Sequence, residues 1–208
     1  MAAQAKYLTG NREGIKEFID KFDDEVFGSS YSAAIYISRI LKLPANKKTV
    51  FVLGEAGIET ELDSEHIPHI GGTDPSLNRI IDKEDYASIA SGSALDDSVG
   101  VVLCGLDFHL NYLKLALAFH YLQRGAIFLA TNTDATLPSS NALFPGAGAC
   151  GAPLVALMGG KKPTSLGKPS QAMMEAIKGV TKSKEDWEGG DTVPTAWVEQ
   201  LGDLRDGA

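Results

Sequence analysis

The chain has 208 residues, enough for one large domain or two small ones, and its net charge is −8. This acidic balance excludes a basic surface for nucleic acid, although a small anion needs only one local positive site. No apolar run reaches the roughly 18 residues of a membrane span, and the first residues lack the apolar core of a secretion signal. We therefore expect a cytoplasmic protein with no membrane and no nucleic acid among its partners.

The first predicted element is a helix that Asn11 caps, with Ile15, Phe18, Ile19 and Phe22 on one apolar face; it lies outside the residues that the structure describes. A second helix, a strand and a third helix follow it. Two serines can cap a helix over Tyr31–Leu43, and Pro44 closes it. The apolar run Thr49–Leu53 is typical of a buried strand. Gly54–Gly57 then form a turn into a short helix.

The middle of the chain alternates strands with helices after one polar region. Asp63–Asp97 is rich in Gly, Ser, Asp and Pro and is predicted to be irregular, with a marginal strand over Ile67–Ile70. Strands are predicted over Ser98–Cys104 and Ala126–Ala130, and a helix lies between them over Asn111–Gln123. This alternation predicts an α/β fold with a largely parallel sheet.

Two glycine motifs resemble phosphate-binding loops. Gly146, Gly148 and Gly151 fit G-x-G-x-x-G, but Phe144–Pro145 is not expected to be a strand, and no acidic residue follows about 20 positions later. The stretch 167–170 resembles the end of a Walker loop, but proline follows the lysine and the earlier glycine is missing. A nucleotide-binding loop stays an alternative, and the sequence favours a plain glycine loop.

Polar residues follow the predicted strands and form the candidate site. Ligands of α/β sheets gather where strands end, and Asp107, Asn132, Asp134 and Lys168 all lie at such positions. Lys168 also precedes a helix that starts with proline, so its charge adds to a site that favours anions. The first three could equally be helix caps or turn formers.

The histidines and the cysteine of the glycine loop do not predict a metal site or a nucleophile. Asp107 with His109, and His66 with His69, each lack a clear third metal ligand. Cys150 has no histidine or aspartate beside it in sequence, so a nucleophilic role is not expected.

The chain resembles the haloacid-dehalogenase superfamily, and within it the capped group of 4-nitrophenylphosphatases, phosphoglycolate phosphatases and pyridoxal phosphatases. The resemblance runs almost without interruption from Val26 to Lys178. Six stretches carry it: "VFGSSYSAAIYI", "VFVLGEAGIETEL", "GLDFHLNYLKLA", "FLATNTDATLP", "FPGAGA" and "LGKPS".

The resemblance implies a phosphomonoester hydrolase fold and a role for Lys168. In intact members a nucleophilic aspartate forms an aspartyl-phosphate, with Mg²⁺ held by acidic side chains. Lys168 corresponds to the lysine that balances charge on that aspartate and on the phosphoryl group. The substrate would be a small phosphorylated metabolite, and the cap of this family often makes the contact between two copies.

This sequence departs from the family pattern at three motifs. The first motif, Asp-x-Asp, the second, Thr-Asn-Asn, and the fourth, an acidic metal motif, are not found. We therefore expect a large α/β cap over residues 31–162, with a mostly parallel or mixed sheet, flanked by incomplete remnants of a Rossmann-like hydrolase core at 1–30 and 163–208. Such a chain would hold no cofactor and would be inactive as a phosphatase. The alternative is a non-catalytic cap module that dimerises with, or regulates, a full-length relative.

Overall fold

The computed structural model describes residues 28–139 and 141–167. Within them, no helix is both long and apolar enough to cross a membrane. The helices are α1 (Ser29–Ile35), which continues as a π-helical turn (Tyr36–Ile40), α2 (Ala56–Ser64), a 3₁₀ turn (Pro75–Leu77), α3 (Lys83–Ser91), α4 (Tyr112–Gln123) and α5 (Ala147–Leu157). The strands are β1 (Thr49–Leu53), β2 (His69–Gly71), β3 (Val99–Cys104), β4 (Ile127–Ala130), β5 (Thr136–Ser139), β6 (Ala142–Pro145) and β7 (Thr164–Ser165).

Five strands form one parallel sheet in the order β2-β1-β3-β4-β7. Strands β1 and β3 are buried at every position, as a parallel sheet covered on both faces requires. The predicted α/β fold with a mostly parallel sheet is confirmed. The two-residue strand β7 pairs with β4, so the sheet includes Thr164 and Ser165.

Alternate residues of the strands divide the core between the two faces of the sheet. In β1, Phe51 and Leu53 belong to the apolar cluster that includes residues of α3, α4 and α5. Val50 and Val52 belong to the cluster that includes residues of α1 and α2. Because side chains of a strand point alternately to opposite faces, one apolar run serves both layers.

Helix α1 with its π-helical turn ends at Ile40, three residues before the end at Leu43 that was predicted from Pro44. It begins at Ser29 and closes at Ile40 with a π-helical turn, in which the Leu41 amide donates to the Tyr36 carbonyl at 2.8 Å. Leu41 is then extended, with φ −76° and ψ 111°. The extended segment lets Leu41 and Leu43 pack against the α1/α2 side of the core, and this packing stops the helix before the proline.

Helix α3 was not predicted, and the expectation of an irregular Asp63–Asp97 was wrong at this point. Only Ile89 of the helix is buried, so no apolar stripe marks it in the sequence. A capping box defines its start instead: the Asp82 carboxylate accepts from the Asp85 amide at 2.9 Å, and the Asp85 carboxylate accepts from the Asp82 amide at 2.9 Å. The marginal strand was placed two residues early, because β2 begins at His69.

We expect the Asp85 carboxyl to titrate with a pKa of about 2, below its ordinary 3.8. The hydrogen bonds from the Arg79 guanidinium are the main cause, and the Asp82 amide adds to them. The folded pKa is depressed, so the stabilisation is present above pH 3.8 and is lost as the pH falls through about 2. Carboxyl ¹³C titration by NMR measures this pKa. Arg79→Gln should raise it towards 3.8, whereas Arg39→Gln should leave it unchanged, and no change in either variant would contradict the assignment.

The segment before the glycine motif forms a hairpin, contrary to prediction. Strand β6 contains Phe144 and Pro145 and pairs antiparallel with β5, so that Pro145 lies opposite Thr136. Prolines are tolerated here because a two-stranded ribbon consists of edge strands. The glycine motif after it is helical rather than a loop: Gly146 is the N-cap of α5, and Gly148 and Gly151 lie inside the helix.

Candidate functional site

A cleft of about 170 Å³ lies at the edge of the sheet where β1, β3 and β4 end. Its walls carry three hydroxyl groups, one amide, one carboxylate and apolar side chains. The lining residues are Ser29, Ser30, Glu55, Gly57, Ile58, Leu106, Thr131 and Asn132. This placement agrees with the rule that parallel α/β sheets bind ligands beyond the carboxyl ends of their strands.

Glu55 connects the end of β1 to the loop that follows β3. Its backbone amide donates to the Leu106 carbonyl at 3.0 Å, and its carboxylate accepts from the Phe108 amide at 2.8 Å. The same carboxylate oxygen lies 3.7 Å from Nδ1 of His109. One side chain therefore lines the cleft and also holds the neighbouring loop.

Asp107, predicted as a substrate-binding residue, is buried in an ion pair with Lys114. The Lys114 ammonium lies 3.0 Å and 3.3 Å from the two carboxylate oxygens, and both side chains are only 1% exposed. One of these oxygens also accepts from the His109 amide at 2.8 Å. These contacts occupy the Asp107 carboxylate, and Asp107 is not among the residues that line the cleft.

Asn132 and Asp134, also predicted to bind substrate, occupy different surroundings. Asn132 lines the cleft, and its side-chain oxygen accepts from the Asp134 amide at 3.1 Å. The Asp134 side chain is exposed, while its carbonyl accepts from the Gly148 amide at 2.9 Å. The structure thus brings Asn132 to the cleft beside Thr131, and the binding role of both predicted residues stays a prediction.

Gly167 lies against the same edge of the sheet. A Cβ atom built on it would be 2.7 Å from the Thr131 carbonyl oxygen and 2.9 Å from Cβ of Asn132, so only glycine fits this approach. Lys168 follows it directly in sequence but lies outside the described residues, as do most of the segments expected to be core remnants.

Glu55 is a third potential metal ligand beside Asp107 and His109, whereas the sequence predicted no third ligand for this pair. Ligand atoms of Glu55, Asp107 and His109 lie within 4.8 Å of one another. The Asp107 carboxylate, however, already contacts the Lys114 ammonium through both oxygens. A cation there would face a buried positive charge, so these residues do not fit the Mg²⁺ that the family resemblance implies.

The helical glycines make close contacts with the protein's own backbone. A Cβ atom on Gly146 would lie 2.5 Å from the Asp134 carbonyl oxygen, and one on Gly148 would lie 2.5 Å from the Thr133 carbonyl carbon. The amides of Gly146 and Gly148 donate to the carbonyls of Ala135 and Asp134, each at 2.9 Å. Because these amides are already bonded, the N-terminus of α5 does not offer them to a phosphate, which argues against the nucleotide alternative.

Both cysteines of the chain are buried and free. Burial raises the pKa of the Cys104 thiol, which therefore does not form a thiolate near neutral pH. The Cys150 thiol lies 3.8 Å from the Asp107 carbonyl oxygen, to which it donates.

The residues that the sequence did not reveal are Glu55 and Lys114. Tyr112, Leu115, Phe119 and Leu122 lie at helical spacing in the sequence and predict the apolar face of α4, but Tyr112 is 63% exposed. The buried face instead includes Lys114, Leu117, Ala118 and Tyr121. Lys114 is spaced from Leu117, Ala118 and Tyr121 as residues on one face of a helix are, at i, i+3, i+4 and i+7. A charged residue in such an apolar series is the pattern from which a buried ion pair could have been predicted.

Comparison with known proteins identifies relatives, although no protein-family model matches the sequence. The chain is 52% identical over 155 residues to the 4-nitrophenylphosphatase of Schizosaccharomyces pombe, covering 74% of this chain and 50% of that protein. It is 33% identical over 169 residues to the chloroplastic phosphoglycolate phosphatase 1A of Arabidopsis thaliana, covering 78% of this chain and 44% of that protein. The chain thus spans about half the length of these relatives.

A solved structure shares the fold. A hypothetical protein from Pyrococcus horikoshii superposes with a TM-score of 0.59 at 27% identity, covering 81% of this chain and 58% of that one. The parallel sheet and this match define an α/β fold, and the relatives named above place it in the haloacid-dehalogenase superfamily. The sequence matches narrow the assignment: the chain belongs to the family of 4-nitrophenylphosphatases and phosphoglycolate phosphatases.

Proposed function

We propose that the described part of this chain is the substrate-covering cap of a phosphomonoester hydrolase of the 4-nitrophenylphosphatase and phosphoglycolate phosphatase type, expected at residues 31–162. The observation that carries this proposal is the cleft, in which Leu106, Thr131 and Asn132 line the carboxyl edge of the sheet. Gly167 approaches the same edge one residue before Lys168, the lysine that the family resemblance assigns to the phosphoryl group. The hydroxyl groups of Ser29, Ser30 and Thr131 and the amide of Asn132 can donate hydrogen bonds to the oxygens of a small phosphate ester, and the positive charge would come from Lys168.

The second part of the proposal is that this chain does not turn over such esters by itself. Among the described residues, the acidic cluster that could hold a metal ion is Glu55, Asp107 and His109, and Lys114 neutralises the Asp107 carboxylate in it. Lys168 without a nucleophilic aspartate has no group to activate, and loss of a covalent nucleophile lowers turnover by about a millionfold where it has been dissected. Mg²⁺ therefore belongs to the intact enzymes of the family in this proposal, and the chain holds no cofactor.

Two measurements with 4-nitrophenyl phosphate and Mg²⁺ test the two parts separately. In ¹H–¹⁵N NMR, the ester should shift the amides of Leu106, Thr131 and Asn132 but not that of Asp97, whose side chain is 93% exposed in a separate ion pair. In the turnover assay, the chain should not exceed its Lys168→Ala variant. If the amide resonances of Leu106, Thr131 and Asn132 did not shift on addition of the ester, the assignment of this region as a substrate-covering cap would be rejected. Turnover that Lys168→Ala abolishes would instead show that the chain is active. The candidates for the nucleophile would then be the adjacent acids Asp23 and Asp24, which directly precede the region of resemblance that begins near Val26.

An exposed apolar surface favours a second candidate, a non-catalytic module that pairs with another copy or with a full-length relative. Ile80, Phe108 and Tyr112 are 89%, 71% and 63% exposed. A groove of about 400 Å³ runs between residues 78–81 and 109–112. Exposed apolar surface of this kind marks association sites. Light scattering after size exclusion, alone and mixed with the Schizosaccharomyces pombe enzyme, distinguishes this candidate: strictly monomeric behaviour in both samples would reject it.

A further inference from the structure

The Asp107–Lys114 pair is more deeply buried than an ion pair needs to be for stability. Both side chains are 1% exposed, whereas the Arg39–Glu65 pair is 44% and 17% exposed. Burying two charges is costly, and apolar residues of similar size often stabilise a core equally well or better. The buried pair therefore points to a requirement for a defined local conformation.

That conformation is the loop of residues 105–110. The Asp107 carboxylate holds the His109 amide at 2.8 Å as well as the Lys114 ammonium. Lys114 belongs to α4, whose first turn is capped by Asn111, and the Asn111 side chain also donates to the His109 carbonyl at 3.1 Å. The ion pair thus ties the loop to the start of the helix.

Glu55 holds the loop at two further points. Its carboxylate holds the Phe108 amide, and its own amide holds the Leu106 carbonyl. The Gly105 amide continues the sheet pattern by donating to the Leu53 carbonyl at 2.7 Å. Backbone groups of five consecutive residues, 105–109, are therefore hydrogen-bonded. Their partners are Leu53 at the end of β1, Glu55 at the start of α2, Cys150 of α5, Asp107 within the loop and Asn111 at the start of α4.

We propose that Glu55, Asp107 and Lys114 are positioning residues that fix this loop and thereby set the wall of the cleft formed by Leu106. Leu106 directly precedes Asp107, its carbonyl accepts from the Glu55 amide, and it lines the cleft. This role concerns the shape of the cleft and holds for whichever ligand enters it. Loss of the Asp107–Lys114 ion pair or of the Glu55 hydrogen bonds should increase the mobility of the loop. The parallel sheet should stay intact.

Native-state hydrogen exchange of the full chain, measured by NMR, tests the proposal independently of any activity. The double variant Asp107→Leu/Lys114→Met removes both charges but keeps apolar volume, so the fold should remain close to wild-type stability. The His109 amide should exchange about tenfold faster in it, as expected when one hydrogen bond is lost. The Val102 amide in β3 should be unchanged, and the Leu106 amide resonance should shift.

Glu55 offers a matched pair of variants for the second attachment. Glu55→Ala should accelerate exchange of the Phe108 amide by about tenfold, whereas Glu55→Gln, which keeps a side-chain oxygen, should preserve its protection. Asp97→Asn serves as a carboxylate control and should change neither amide. Equal protection of Phe108 in the alanine and glutamine variants would overturn the proposal. Faster exchange of the Val102 amide, to the same extent as the loop amides, would also overturn it, because a general loss of stability accelerates the exchange of all these amides. The Glu55 pair still decides the question if the double variant does not fold.

Discussion

Replacing Lys114 with methionine is expected to lower the free energy of unfolding by about 3–5 kcal/mol, because it leaves a buried carboxylate without its charge partner. The Asp107 side chain is 1% exposed, so water cannot replace the lost ammonium without opening the core. Among the hydrogen bonds of residues 28–139 and 141–167, the one from the His109 amide then remains to this carboxylate. Urea unfolding followed by circular dichroism measures the change.

Two comparisons show whether the effect comes from an uncompensated charge. The double variant Asp107→Leu/Lys114→Met should recover most of the loss, because an apolar pair needs no desolvation of charge. Arg39→Met removes one partner of the more exposed Arg39–Glu65 pair and should cost no more than about 1 kcal/mol. A loss of similar size in Arg39→Met and Lys114→Met would contradict the special role of the buried pair.

The sheet could be predicted from the sequence because its strands are continuous apolar runs. Thr49–Leu53 was predicted with its observed bounds, and Val99–Cys104 with an error of one residue. Such runs identify a strand buried on both faces without any information from distant residues. Their order along the chain, alternating with helices, then defines the α/β layers, and the rule on strand ends directs attention to Asn132.

The elements that could not be predicted depend on polar contacts or on distant partners. Helix α3 begins with reciprocal aspartate caps rather than an apolar stripe, in a region whose composition indicates turns. The Glu55 carboxylate meets an amide 53 residues later, and no local pattern records such a contact. Lys114 lies on the buried face of α4 because Asp107 is there to pair with it, whereas a lysine in a helix normally indicates the solvated face.

Gly148→Ala is expected to lower the free energy of unfolding by about 1–3 kcal/mol, the usual cost of forcing an extra carbon into packed structure. The added Cβ atom would lie 2.5 Å from the Thr133 carbonyl carbon and 2.9 Å from the Asp134 carbonyl oxygen. Both neighbours are backbone atoms, so relief requires the turn after β4 to move away from α5. Thermal and urea unfolding measure the loss.

Gly57 provides a control at the same position of another helix. It is the second residue of α2, as Gly148 is of α5, but an added Cβ atom meets nothing within 4 Å. Gly57→Ala should therefore stabilise the protein by about 0.5–1 kcal/mol, since alanine loses less backbone entropy on folding. The two substitutions have the same chemistry and opposite expected signs. If both stabilised the protein, the N-terminus of α5 would have space beside it, and the close contact of Gly148 with the turn after β4 would be contradicted.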